Sequence, residues 1–174
     1  YGALLRVLSR GAVLQGPQVD EFEDRFARFI GVRHAAGTSS GRAATYLALR
    51  SLGLNEGDEI IMPAYTFHIV PLVVHACGLK PIFIDVSPDT YNLDPRELEK
   101  HITPRTRGII PVHLYGQAAD MGPLMEIARK HKLKVIEDCA QSFGADYQGK
   151  KTGSFGEFGC FSFFPSKNLG CYGD

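Results

Sequence analysis

Apolar positions along this chain follow two rhythms that take turns. In "GPQVDEFEDRFARFIG", Val19, Phe22, Phe26 and Phe29 recur at helical spacing, with Pro17 suited to a first turn and Gly31 to a stop. Short apolar runs then alternate with further helical patterns. "VRHAAG" (32–37) predicts a strand and "RAATYLALRSLG" (42–53) a helix ending at Gly53. "DEIIMP" (58–63) predicts a strand, "FHIVPLVVHACG" (67–78) a helix carrying a proline, and "KPIFIDV" (80–86) a strand. In "DPRELEKHI" (94–102), Asp94 as N-cap, Pro95 behind it and Glu97 make a capping box with a helix following. "RGIIPVH" (107–113) predicts a strand, and "GPLMEIARKHK" (122–132) a helix with Leu124, Ile127, Ala128 and His131 on one face. "KVIEDC" (134–139) and "GCFSFF" (159–164) predict two more strands.

Strand and helix alternating this often imply crossover connections. The expected fold is α/β: a mostly parallel sheet with helices on both faces, forming one domain over residues 1–174. Unbroken apolar stretches such as Ile60-Ile61 and Ile82-Phe83-Ile84 suit strands covered on both sides. In such sheets ligands bind beyond the carboxyl ends of the strands. That rule directs attention to "GTSSGR" (37–42), "AYTF" (64–67), "LYGQ" (114–117), "DCAQ" (138–141) and the loop around Lys167.

Composition narrows the function classes. Of 174 residues 44% are hydrophobic, enough for a well-buried core. Lys+Arg and Asp+Glu both number 19, which leaves no basic footprint for nucleic acid or an anionic membrane. Apolar runs are short and broken by Pro or Gly, so no transmembrane helix or signal peptide is expected. The four cysteines lack C-x-x-C spacing and read as reduced thiols of a cytoplasmic enzyme. His68 and His75 lie seven apart, too far to share a metal, and no metal site is expected. Tyr1 in place of Met, and the glycine-rich "GCYGD" at the other end, suggest a piece of a longer protein.

Four features carry candidate chemistry, each with an ordinary alternative. "GTSSGRAA" opens a helix, so its backbone N–H groups suit a phosphate, although a plain turn capped by Ser40 would look the same. Asp138 ends an apolar strand, where a carboxylate is costly unless a cation or donors meet it. Its neighbour Glu137 points to the opposite face and reads as an exposed strand-end acid. Ser162, between Phe161 and Phe163, needs a partner that a phosphate oxygen or the local backbone would supply. Lys167, reached through Phe163, Phe164 and Pro165, is either a surface lysine or an amine held in a dry pocket to form a Schiff base with a carbonyl. Only the combination discriminates. A Schiff-base lysine, an aspartate for a pyridinium nitrogen and a helix N-terminus for phosphate are what pyridoxal phosphate needs from a protein.

Two near-motifs fail. "GADYQGKK" (144–151) has Lys151 where a P-loop needs Ser or Thr, and Gly153 and Gly156 follow instead of a helix. "GSFGEFG" (153–159) is not G-x-G-x-x-G and feeds a strand, so it is no dinucleotide turn.

Several blocks, in order, give the chain a resemblance: "GTSSGRAA", "GDEIIMPAYTF", "KPIFIDV", "IIPVHLYGQ", "VIEDCAQSFGA" and "GCFSFFPSKNLG". It resembles the DegT/DnrJ/EryC1/StrS sugar aminotransferases, of the aspartate-aminotransferase fold type, from "QGPQVDEFE" to "GCYGD". The resemblance implies a pyridoxal 5'-phosphate enzyme that moves an amino group from glutamate or glutamine to a keto sugar, typically nucleotide-linked, in amino-sugar biosynthesis. It implies that Lys167 binds the cofactor aldehyde and moves the substrate proton, while Asp138 keeps the pyridine nitrogen protonated. Gln141 would lie near the ring hydroxyl, Phe67 would stack on the ring, and Ser162 with Ser40, Gly41, Arg42 and Ala43 would hold the phosphate. His113 and Tyr115 would line the substrate side. The family usually has Thr where this chain has Arg42, so a guanidinium or backbone N–H takes over that contact. The resemblance also implies a small C-terminal domain beyond this chain and a homodimer whose subunits share the site. Family members acting as sugar dehydratases resemble this chain with His in place of Lys167. A cyclitol ketone as acceptor and a non-catalytic binding or oligomerisation module are the rival readings.

Overall fold

The computed structural model describes residues 2–11 and 16–171. Gln15 and Tyr172–Asp174, which belong to the first and last blocks of the resemblance, lie outside them. The chain groups into two compact units, Tyr1–Gly37 and Thr38–Asp174.

The first unit holds α1 (Gly2–Arg10) and α2 (Pro17–Ile30). Pro17 opens α2 as expected, and Gly31 closes it at φ 82° with its N–H on the Ala27 carbonyl. Helix α1 has no counterpart among the sequence expectations. Residues 32–37, expected as a strand, form no strand, with a bend at Arg33. Ala35, Ala36 and Gly37 have almost no side chain to bury, so nothing draws them into a sheet.

The second unit begins with α3 (Gly41–Ser51), β1 (Glu59–Pro63), α4 (Ile69–Ala76) and β2 (Lys80–Ile84). It continues with α5 (Pro95–Leu98) and its 3-10 extension Glu99–His101, then β3 (Thr106–Ile109) and a 3-10 turn Leu114–Gly116. Helix α6 (Met121–His131), β4 (Lys134–Asp138), β5 (Asp146–Tyr147), β6 (Lys150–Lys151) and β7 (Phe158–Cys160) complete it. The order β2-β1-β3-β4-β7 is parallel throughout. Alternate residues of β1 enter different cores, which is why its apolar run is unbroken. Ile60 and Met62 join Leu49 of α3 and Val73 of α4, while Ile61 joins Leu98 of α5 and Leu124 of α6. Helices therefore cover both faces, as the fold class requires.

Three expectations change in detail. Asp94 caps α5 by accepting from Arg96 N, but Glu97 pairs with Lys100 rather than reaching back, so the capping box is half made. "GADYQGKK" folds as the β5–β6 hairpin, with Gln148 and Gly149 both at positive φ in its two-residue loop. Strand β7 stops at Cys160, and residues 161–164 leave the sheet to carry the chain toward Lys167. No helix among the described residues is long and apolar enough to cross a membrane.

Candidate functional site

The carboxyl ends of β1, β4 and β7 and the start of α3 surround a cavity of about 610 Å³. Ser40, Gly41, Arg42, Phe67, Asp138, Ser162 and Lys167 all line it. Its volume is in the range of small-molecule and cofactor sites.

Helix α3 points its N-terminus here. Ser40 caps it by accepting from Ala43 N at 3.1 Å, and the first intrahelical bond runs from Ala44 N to Ser40 O. Arg42 N is one of the first-turn donors that the helix itself leaves unpaired. A Cβ at Gly41 would crowd the chain leaving β7, sitting 3.0 Å from Ser162 Cβ and 3.2 Å from Phe161 O. Its absence lets the helix start press against the chain leaving β7.

Asp138 closes β4. Its backbone N–H donates to Pro111 O and its carbonyl accepts from His113 N, so strand pairing fixes the residue on both sides. Oδ1 accepts from Ala140 N at 3.0 Å, and among the described residues Oδ2 has no hydrogen-bonding partner. Burial pushes the carboxyl up from its ordinary range, opposed by the Ala140 N–H and by the charge of Lys167. A cation meeting Oδ2 would relieve that cost.

Lys167 sits in a tight reversal. Its N–H donates to Phe164 O at 2.8 Å, and Cys171 N closes the loop onto Phe163 O at 2.9 Å. Gly170 permits the reversal, because a Cβ there would lie 2.3 Å from Pro165 O. Ser162 Oγ accepts from Phe164 N at 3.4 Å. Phe67 is 60% exposed at the cavity wall, its ring centroid 4.4 Å from that of His68.

Four expected residues lie elsewhere. Ala43 faces an adjoining groove of about 490 Å³ between α3 and α4, which it shares with Arg42, Tyr46 and Leu72. Gln141 is turned to accept from Tyr115 N at 3.0 Å, and Tyr115 is exposed with its hydroxyl 2.8 Å from that of Tyr65. His113 is the larger correction. Its side chain is fully buried and cannot line a substrate side. Nδ1 accepts from Ala119 N, so the ring proton is on Nε2, which donates to Glu137 at 3.0 Å.

Glu137 overturns its expectation as an exposed acid. It is 0% exposed, and its carboxylate accepts from Gly153 N, Phe155 N, Gly156 N and His113 Nε2. Burial alone would push the carboxyl up, but the His113 N–H and the Gly156 and Gly153 N–H groups outweigh it and leave it lowered. The glycine-rich "TGSFGEFG" was the available signal, since small residues leave backbone donors uncovered. His113, Glu137 and Cys139 bring their ligand atoms within 4.8 Å of one another. They do not make a metal site: both imidazole nitrogens and both carboxylate oxygens are already bonded, and burial raises the Cys139 thiol far above its ordinary range.

The pattern of the DegT/DnrJ/EryC1/StrS aminotransferase family matches residues 2–174. The chain belongs to that family. It is 48% identical over 169 residues to a UDP-2-acetamido-2-deoxy-3-oxo-D-glucuronate aminotransferase of Pseudomonas aeruginosa, covering 97% of this chain and 47% of that protein. It is 47% identical over 172 residues to a dTDP-3-amino-3,4,6-trideoxy-alpha-D-glucose transaminase of Streptomyces venezuelae, covering 99% and 45%. Among solved structures it matches S. venezuelae DesV in complex with a ketimine intermediate, with a TM-score of 0.96, 47% identity, and coverage of 99% of this chain and 47% of that one. NtdA of Bacillus subtilis, solved with the cofactor PMP, gives 0.92 and 41%, with coverage of 99% and 39%. The chain thus spans about half the length of the relatives it matches.

Proposed function

We propose that this chain supplies the large cofactor-binding part of a pyridoxal 5'-phosphate-dependent aminotransferase that moves an amino group from glutamate or glutamine to a nucleotide-linked keto sugar. One observation carries the reading: Lys167 and Asp138, 29 residues apart in sequence, line one cavity with the N-terminus of α3. Family membership and the aminotransferase activities of the relatives support it.

The residues fit a phosphorylated pyridinium. Asp138 Oδ2 is an acceptor without a hydrogen-bonding partner among the described residues, suited to a ring N–H. Ser40, Ser162, Arg42 and the first turn of α3 gather polar donors for a phosphate, with Ala43 supporting the turn. Phe67 offers a flat apolar face, and Gln141, whose Oε1 accepts from Tyr115 N, would keep its Nε2 donor for the ring hydroxyl.

When bound, the cofactor would supply an aldehyde for the amine and a protonated ring that accepts the electrons left by a departing proton. Lys167 Nζ would hold that aldehyde, then take the donor's α-proton and return it on the far side of the transfer. Asp138 would keep the ring nitrogen protonated, since its buried carboxylate is best satisfied by a cation. His113 and Glu137 would act at a distance, fixing β4 so that Asp138 holds its place. We further propose a cytoplasmic homodimer whose neighbouring subunit completes the site, with neither nucleic acid nor membrane as partner.

The test uses the complete protein loaded with pyridoxal phosphate, glutamate or glutamine, and a panel of UDP-, dTDP- and GDP-linked keto sugars. Mass spectrometry should find one of the sugars aminated. A loaded protein that aminates none of them rejects the sugar acceptor.

A further inference from the structure

Three tyrosines stand exposed at the carboxyl edge of the sheet, one from each loop that follows β1, β2 and β3. Tyr65, Tyr91 and Tyr115 are 49%, 51% and 68% exposed. They are not scattered. The Tyr65 and Tyr115 hydroxyls are 2.8 Å apart, and the Tyr65 and Tyr91 ring centroids are 5.8 Å apart at 49°. Tyr91 and Tyr115 both sit at positive φ, 58° and 55°, a region residues with a Cβ rarely adopt.

Buried bonds hold the strained positions. Asn92, next to Tyr91 and 2% exposed, accepts from Leu114 N through Oδ1 and donates to Gln117 O through Nδ2. That one side chain ties the Tyr91 loop to the turn that carries Tyr115. Gln141 anchors Tyr115 N in turn. The cluster also adjoins the cavity at two points: Tyr65 is two residues from Phe67, and Gln141 follows Ala140, both cavity-lining residues. Between them, Thr66 Oγ1 is buried without a partner among the described residues.

Resting on the aminotransferase reading above, we infer that Tyr65, Tyr91 and Tyr115 form the rim platform that seats the pyranose ring of the acceptor. The tyrosine faces pack against its C–H surface, and the paired hydroxyls exchange hydrogen bonds with its hydroxyls. Tyrosine suits this task because its ring offers apolar area and its hydroxyl both donates and accepts. The platform is a specificity-determining surface for the acceptor and leaves the amino donor untouched.

The variant Tyr115→Gly removes one ring and relieves its strained backbone, so thermal unfolding should show no loss of stability. In the loaded complete protein, KM for the aminated sugar should rise about 5- to 10-fold with kcat little changed. The rate at which glutamate converts the bound cofactor to its amino form should stay the same. Tyr115→Phe, which keeps the ring, should show a smaller rise in KM. An unchanged acceptor KM overturns the inference, as does a change in sedimentation with KM unaltered, which would make the platform a subunit contact. A second readout stands apart from catalysis. This chain contributes no tryptophan, and the change in tyrosine emission on adding ligand is the quantity read. UDP-, dTDP- and GDP-glucose should be titrated against the parent and Tyr115→Gly, with UDP and glucose alone as further arms. Quenching by a sugar nucleotide that weakens in the variant supports the platform even if the protein transfers no amino group. Equal quenching in both proteins, or none in the parent, overturns it. Quenching by UDP alone as strong as by UDP-glucose assigns the surface to the base and rejects the pyranose.

Discussion

Replacing Glu137 by Gln changes one atom of the side chain and should cost more stability than any comparable change at the surface. The carboxylate takes four hydrogen bonds, two at each oxygen. Oε1 receives Phe155 N at 2.7 Å and Gly156 N at 2.9 Å; Oε2 receives Gly153 N at 2.7 Å and His113 Nε2 at 3.0 Å. Glutamine can keep one pair through its carbonyl, but its NH2 then faces two donors. His113 cannot adapt by moving its proton, because Nδ1 must accept from Ala119 N. Two charge-assisted bonds are lost at about 1.5–3 kcal/mol each, so the expected loss is about 3–6 kcal/mol. Urea unfolding of the complete protein, with and without cofactor, measures it. A loss below about 1 kcal/mol would refute the reasoning, since the site would then have supplied other partners. The pH dependence follows from the same bonds. The folded carboxyl is held below its ordinary 4.5, so its contribution is full above that value and disappears as pH falls through the lowered one. The parent should lose stability in that acid window, and Glu137→Gln should lack that component.

Two further predictions concern the cavity. Asp138→Asn should retain the cofactor but slow the donor half-reaction by about 100-fold or more, read by single-turnover absorbance; equal rates would reject the proposed role. Gly41→Ala should leave helix stability equal or improved, since Ala is the better helix former, yet weaken cofactor affinity roughly 10-fold in equilibrium titration, because the added Cβ pushes Ser162 away.

Much of the sheet was readable from local pattern because β1 and β4 are covered on both faces, and the continuous runs they need differ from any helix. The ends of α2 and α3 were readable for the same reason: Gly31 and Ser40 act within one turn of their own positions. Residues 32–37 have a strand-like pattern yet form no strand, because whether a segment finds a neighbour is not written in the segment itself. Glu137 is the sharper case. Its partners lie 16 to 19 residues later and 24 residues earlier, so its burial depends on loops that meet only after folding. His113 was read from its place in a motif, and the same network takes it out of the cavity. The cavity residues were legible because strand ends in a parallel sheet collect the ligand-facing groups whatever the loops do.

The central claim is that Lys167 is the amine that holds the cofactor aldehyde. Borohydride reduction of the complete protein after addition of pyridoxal phosphate, followed by peptide mapping, tests it most directly. The account predicts a single stable adduct on the peptide containing Lys167, abolished in Lys167→Ala. An adduct spread over surface lysines, or one that survives that substitution, would contradict it.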